Sequence, residues 1–163
     1  MSDAKQLLTD DHQELDQLLE TLHNALSAPH PDEVHATLDL FWARLAMHIR
    51  AEHLHLFPAV IDAQEEPSVR IQTVVVKLRE DHDFFMKALS QAVKLSRAQN
   101  NSENLTEIRS LISIVTLRLQ EHNQIEEATI YPLVQALLTA SGNSLLAEQL
   151  QHELQSLPPR FQQ

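Results

Sequence analysis

The chain has 163 residues, of which 43% are hydrophobic but only 4% aromatic, with a single glycine and no cysteine. A chain of this length predicts one domain, residues 1–163, that buries a substantial core, and the shortage of aromatic residues and glycine favours long helices over sheets. The formal net charge of −11 argues against nucleic acid or an anionic membrane surface as a partner, and the lack of cysteine excludes disulfides, iron–sulfur clusters and thiolate zinc sites.

Prolines and small polar residues divide the chain into predicted helices. These helices span about residues 3–27, 32–63, 67–98, 103–140 and 143–156. Pro58 and Pro132 fall inside the second and fourth helices and are predicted to kink them, because proline cannot donate to the preceding turn. Pro67 suits the first turn of the third helix.

Two predicted turns separate the later helices. Residues 100–102, Asn-Asn-Ser, form the turn before the fourth helix. After it, Gly142 suits the position that follows a helix C-terminus, and Asn143 or Ser144 suits the N-cap of the short fifth helix.

The apolar residues of the four long helices recur at alternating steps of three and four. In the first helix, for example, the series includes Leu8, Leu15, Leu19 and Leu22. This spacing is typical of the inward seam of a left-handed helical bundle. The sequence therefore predicts an all-α fold, an up-down-up-down antiparallel four-helix bundle over about residues 3–140 with a short C-terminal fifth helix.

A duplicated polar motif lies on this seam. The second and fourth helices each carry His-x-x-x-Glu followed by an aromatic residue and proline, at 48–58 and 122–132, and the first and third each carry Asp-His, at 11–12 and 81–82. Counting residues from the predicted turns places the motif's histidines and glutamates at about one height in the bundle. The candidate metal ligands are His12, His48, Glu52, His82, His122 and Glu126.

The two seam glutamates need a partner, since an unpaired buried carboxylate costs several kcal/mol. Hydrogen bonds to histidine alone are one solution, and a metal pair is the other. In the metal-bound alternative each ion takes two imidazoles and both carboxylates bridge. Nitrogen and oxygen donors without sulfur favour iron or manganese, with zinc also possible.

Other polar residues receive lesser roles. His30, His35 and His152 are predicted to lie in solvent. His23 flanks the seam and could line the cavity, and His55 is the best candidate for an extra ligand or outer donor, although we do not expect it to bind.

The residues that flank the candidate ligands are predicted to have supporting roles. Asp11 and Asp81, each just before a ligand histidine, are predicted outer-sphere or capping acids. Phe57, Tyr131 and the two prolines are predicted to shape packing rather than chemistry.

Taken together, these motifs are similar to those of the hemerythrin-like (HHE cation-binding) family, over the chain up to about Leu138. The resemblance implies a four-helix bundle around two non-haem iron ions with oxo or hydroxo and carboxylate bridges, held by the six candidate ligands. Oxygen-carrying hemerythrins place His-x-x-x-His on the third helix, whereas here Met86 stands four residues after His82. A thioether is a poor ligand for ferric iron, which argues against simple oxygen carriage.

The resemblance then points to family members concerned with nitric oxide or oxidative stress, iron–sulfur cluster repair or peroxide breakdown. The repair proteins carry a cysteine-bearing N-terminal segment, and this chain has no cysteine. The expected function is that of a di-iron protein that binds O2, NO or peroxide or, as an oxidoreductase, reduces it. The alternatives are a non-catalytic iron or oxygen sensor and an oxygen storage protein.

A cytoplasmic location is expected, because the N-terminus lacks the basic-then-apolar layout of a secretory signal. No membrane or nucleic-acid partner is expected. An electron donor, a partner protein and the oligomeric state carry no recognisable signal in the sequence.

Overall fold

The computed structural model describes residues 3–28, 30–98 and 102–161, and within these ranges the regular structure is entirely helical. The helices are α1 (Ala4–Ser27), α2 (Pro31–Ala51), α3 (Phe57–Asp62), α4 (Val69–Arg97), α5 (Ser102–Ile125), α6 (Tyr131–Leu137) and α7 (Ala140–Leu154). Two five-residue π-helical turns, Glu52–Leu56 and Glu126–Ile130, join α2 to α3 and α5 to α6, and a 3₁₀ turn, Pro159–Phe161, follows α7. The predicted all-α fold class is confirmed.

The four long helices pack as an antiparallel bundle, α1 against α2, α2 against α4, α4 against α5 and α5 against α1. Near the start of α2, His35 Nδ1 lies 2.7 Å from Ser96 Oγ at the end of α4. Near the start of α5, Arg109 Nη2 donates to the Leu26 carbonyl at the end of α1, at 2.7 Å. The up-down-up-down order is therefore as predicted, although His35 is half-buried rather than solvated. Within the described ranges, no helix has an apolar stretch that could cross a membrane.

The interior contains two apolar clusters rather than one continuous core. The first fills the end of the bundle where α1 stops and α2 starts, and it includes Phe41 and Phe85. The second fills the opposite end and includes Phe57 and Tyr131. Helix α7 lies across α1 and α2 at this second end and adds Leu146, Ala147 and Leu150. A buried polar layer separates the two clusters.

The start of α7 differs from the sequence prediction. The fourth helical arm ends at Leu137 instead of about residue 140, and Thr139 caps α7 by accepting a hydrogen bond from the Gly142 N–H at 3.1 Å. Gly142 therefore lies in the first turn of α7 and does not follow a helix C-terminus. Asn143 is not an N-cap but accepts from the Ala4 N–H at 3.0 Å, which ties α7 to the start of α1. Ser144 likewise lies inside α7.

Two smaller expectations concern α4 and the turn before α5. Ser68 is the N-cap of α4, accepting from the Ile71 N–H at 3.3 Å, so Pro67 precedes the helix instead of lying in its first turn. Of the predicted 100–102 turn, Ser102 begins α5, while Asn100 and Asn101 lie outside the described residues.

Candidate metal centre

Each ligand glutamate begins a π-helical turn. In the first copy the Phe57 N–H bonds the Glu52 carbonyl, five residues back, and in the second the Tyr131 N–H bonds the Glu126 carbonyl in the same way. Kinks were predicted at Pro58 and Pro132, and the structure has a π-helical turn just before each of them. Neither proline has an N–H to donate to the preceding turn. Such π-helical turns are frequent at functional sites.

The structure brings all six predicted ligands into the layer between the two apolar clusters. Glu52 and Glu126 are 0% exposed, and the four histidines are 2–3% exposed. Each histidine turns Nε2 towards a glutamate Oε1. The Nε2–Oε1 distances are 3.2 Å for His12–Glu126, 3.5 Å for His48–Glu52, 3.3 Å for His82–Glu52 and 3.2 Å for His122–Glu126.

These side chains form two donor groups with one shared member. The ligand atoms of His12, His48 and Glu126 lie within 4.8 Å of one another, and the same holds for Glu52, His82, His122 and Glu126. Glu126 belongs to both groups. The arrangement could therefore hold two cations side by side with a carboxylate between them.

Unsatisfied atoms distinguish a cation site from a hydrogen-bonded core. Among the described residues, no group hydrogen-bonds to Glu126 Oε1, Glu126 Oε2, Glu52 Oε1 or His12 Nδ1, although all are buried. Burial and the adjacent Glu126 carboxylate raise the pKa of Glu52. Burial would raise the pKa of Glu126, but the contacts with Glu52, His122 and His12 lower it well below its usual value, so Glu126 is ionised. Cations would satisfy its two buried oxygens, because buried charge without a close partner is costly.

Each predicted outer-sphere acid contacts a candidate ligand histidine on the other helix of its hairpin. Asp11 Oδ2 lies 2.7 Å from His48 Nδ1 and is steadied by Arg44, whose Nη2 donates to Asp11 Oδ1 at 2.9 Å. Burial tends to raise the pKa of Asp11, but the contacts with His48 and Arg44 outweigh it and lower that pKa. Asp11 is therefore ionised and accepts the Nδ1–H, so the other ring nitrogen of His48, Nε2, faces the cluster and can bind a cation once it has released its proton.

Asp81 repeats this arrangement in the second hairpin. Its Oδ2 lies 3.0 Å from His122 Nδ1, and Lys77 Nζ and Arg118 Nε donate to its carboxylate at 2.8 and 2.9 Å. Burial alone would raise the pKa of Asp81, but these three hydrogen bonds lower it. His122 is thus oriented like His48.

Tyr131, which was predicted to shape packing rather than chemistry, packs in the second apolar cluster and also contacts three of the candidate ligands. Its fully buried hydroxyl donates to Glu52 Oε2 at 3.0 Å and lies 2.9 Å from His12 Nε2 and 3.4 Å from His48 Nε2. Burial and the two glutamate charges raise the pKa of Tyr131 well above its usual value, so the phenol keeps its proton. The signal in the sequence was Tyr131 occupying the place that Phe57 has in the first copy.

The residue after each glutamate also contacts a histidine of the cluster. His53 Nε2 lies 2.7 Å from His82 Nδ1, and Glu127 Oε1 lies 3.5 Å from His12 Nδ1. In both copies, the residue after the glutamate therefore faces Nδ1 of a candidate ligand histidine in the other hairpin. That residue is an imidazole in the first copy and a carboxylate in the second. Burial, His82 and a nearby arginine lower the pKa of His53 to about 4, which keeps it neutral.

Two other histidines stay outside the cluster. His55 Nε2 contacts Glu153 Oε1 at 3.2 Å, which links the first π-helical turn to α7. His23 lines a cleft between α1 and α5, where its Nε2 lies 2.9 Å from Thr116 Oγ1. Met86 packs against the first apolar cluster.

Comparison with known proteins gave one match. A family model described as "Hemerythrin HHE cation binding domain" matches residues 3–154, a span that includes every candidate ligand. Neither the curated proteins nor the solved structures contain a match.

Proposed function

The chain belongs to the hemerythrin HHE cation-binding domain family, and on that premise we propose that it holds two non-haem iron ions and binds or reduces O2, NO or a peroxide. The process served would be a response to oxidative or nitrosative stress. The observation that carries the proposal is Glu126, whose two carboxylate oxygens are fully buried without a hydrogen bond among the described residues.

The donor set fits this metal. One ion would be held by His12, His48 and Glu126, and the other by Glu52, His82, His122 and Glu126. Imidazole and carboxylate ligands without sulfur suit iron or manganese, and zinc remains chemically possible. When bound, a pair of irons supplies redox-active centres at which a diatomic or peroxide ligand can be held or reduced.

The protein's own contribution is orientation, proton control and exclusion of water. Asp11 and Asp81 orient His48 and His122 so that Nε2 of each ring faces the proposed ions. Tyr131 holds a proton at its hydroxyl, within hydrogen-bonding distance of Glu52 Oε2. The apolar clusters on either side keep bulk water from the layer.

Metal analysis with optical spectroscopy tests the proposal. We expect about two iron ions per chain and spectral changes when O2, peroxide or NO is added to the anaerobic protein. Glu126→Gln preserves the shape of the side chain but should lose iron, whereas Glu121→Gln, an exposed position on the same helix, should keep it. Full iron occupancy in Glu126→Gln would contradict the assignment.

A sensor is the second candidate, favoured by the position of the polar layer between two separate cores. Without cations the facing carboxylates would repel each other there and loosen the bundle. Catalysis predicts turnover of peroxide or NO with the fold retained. Sensing predicts little turnover but a large loss of helicity and protease resistance on iron removal. Oxygen storage predicts a reversible spectral change on cycling O2.

A further inference from the structure

A cleft of about 330 Å³ opens between α1 and α5, on one side of the proposed centre. Its polar lining includes Asp16, Glu20 and His23 from α1 and Thr116 from α5. None of these residues belongs to either donor group of the buried cluster. The cleft is therefore a separate feature that the proposed function leaves unused.

The α1 residues of the cleft continue the line of a cluster ligand. His12, Asp16, Glu20 and His23 follow one another at steps of four, four and three, so they share one face of α1. Neighbours at such spacing lie about 5–6 Å apart, and the whole series covers about 16 Å. The face thus carries potential cation ligands from the surface to the cluster.

The inner end of this series is an unsatisfied buried nitrogen. His12 is 3% exposed, and its Nδ1 has no hydrogen-bond partner among the described residues. Glu127 Oε1 lies 3.5 Å from that nitrogen, while the Glu127 side chain is 39% exposed. Burial and the Glu127 charge raise the pKa of Asp16, as expected for carboxylates held near each other. Asp16 and Glu127 therefore stand between solvent and His12.

The outer end of the series is the imidazole of His23. The Thr116 hydroxyl donates to the Ile112 carbonyl at 2.7 Å, so it accepts the hydrogen bond at 2.9 Å from His23 Nε2–H. Nε2 is therefore the nitrogen that donates, and Nδ1 is the nitrogen that can offer a lone pair when the ring is neutral. A neutral histidine with a lone pair is a competent metal ligand.

The duplicated frame provides an internal comparison. Four residues after the ligand histidine, α1 has Asp16 where α4 has Met86, and after the ligand glutamates Glu127 corresponds to His53. Arg79 adds positive charge beside His53. At these two positions one side of the cluster thus presents the carboxylates of Asp16 and Glu127, whereas the other presents Met86 and His53.

We propose that the α1–α5 cleft is the uptake route for ferrous iron, with Asp16, Glu20 and His23 as transient ligands. The inference rests on the proposed function. A hydrated dication cannot shed all its water at once without a large desolvation penalty, and ligands spaced one turn apart replace that water stepwise. The carboxylates also concentrate cations at the mouth of the cleft.

The test compares the rate of iron loading with final iron content. Metal-free protein is mixed anaerobically with ferrous iron, and samples are quenched with a ferrous chelator to count protected iron. The test variant is Asp16→Asn/Glu20→Gln, and the matched control is Glu80→Gln/Glu148→Gln, at exposed positions on α4 and α7. Both double variants remove the same charge.

The test variant should load about tenfold more slowly, and with weaker salt dependence, while its final iron content and spectrum stay unchanged. The control should load within about twofold of the unaltered chain. Chelator extraction should slow in parallel, since the same route serves exit. The inference would be overturned if the test variant loaded iron as fast as the unaltered chain, or if the control variant were slowed as much as the test variant. Either result would leave the proposed function intact. Failure of the unaltered chain to take up iron would remove the proposed function and the inference with it.

Discussion

Replacing Asp81 by Asn tests whether the outer carboxylates control the metal centre. Asp81 is 1% exposed and receives three donors, Lys77 and His122 at Oδ2 and Arg118 at Oδ1. Asparagine keeps the shape but has one acceptor oxygen and one NH2 group. Whichever way the amide turns, its NH2 faces at least one donor, and the negative charge is lost in both orientations.

The expected magnitude follows from these contacts. Losing an outer partner of a ligand histidine typically weakens metal affinity about 10–100-fold, which corresponds to about 1.4–2.8 kcal/mol. In the metal-free protein, the lost charge-assisted hydrogen bonds should lower the free energy of unfolding by about 1–3 kcal/mol, towards the lower end because Lys77 and Arg118 are partly exposed.

Affinity is measured by competition with a chelator, and stability by denaturant unfolding of the metal-free protein. Asp83→Asn is the control, because Asp83 is an exposed carboxylate two residues away on the same helix. If Asp81→Asn and Asp83→Asn bind metal equally well, the orienting role of Asp81 is refuted. A loss of stability in Asp81→Asn without a loss of affinity would show a purely structural carboxylate.

Three further outcomes are expected. Burial lowers the pKa of His48, but the charge of Glu52 and the hydrogen bond with Asp11 outweigh it and raise that pKa from 6.5 to about 9. The resulting stabilisation is complete below about pH 6.5 and is lost as the pH rises through 9, so the free energy of unfolding of metal-free protein should fall by up to about 3 kcal/mol across this range. Denaturant titrations check this, and a drop of equal size in His48→Gln would contradict it. Tyr131→Phe leaves Glu52 Oε2 without its donor and should cost the metal-free protein about 1–3 kcal/mol in the same assay; no loss would mean that this hydrogen bond is dispensable. Thr139→Ala removes the cap of α7 and should lower stability by about 1 kcal/mol, while Thr139→Ser should retain it; equal stability of the two would argue against the cap.

Helix boundaries show where local sequence rules stop being decisive. Thr139 and Asn143 are both good N-cap residues, and such caps differ by less than about 1 kcal/mol. Asn143 instead accepts from the start of α1, a contact 139 residues away in sequence. The packing of α7 against α1 and α2 therefore decides that Thr139, and not Asn143, is the N-cap of α7.

The outer contacts of the cluster were decided in the same way. The Asp11–His48 pair spans 37 residues, and Tyr131 reaches His12 across 119. Which atoms meet over such separations depends on the rotation and relative height of packed helices, which no local spacing specifies. For that reason the sequence does not predict the contacts of the Tyr131 hydroxyl.

The sequence by itself determined the helical class, the order of the bundle and the side chains that would share one height inside it. The spacing of residues along a helix fixes the face and the height of each side chain, because the rise per residue is constant. Helical periodicity and the duplicated motif therefore do not depend on how the helices pack. Only the tertiary structure decided which carboxylate faces which imidazole, where the phenol lies, and that Asp16 and Glu20 line a cleft between α1 and α5. Those contacts join different helices and exist only once the bundle has closed.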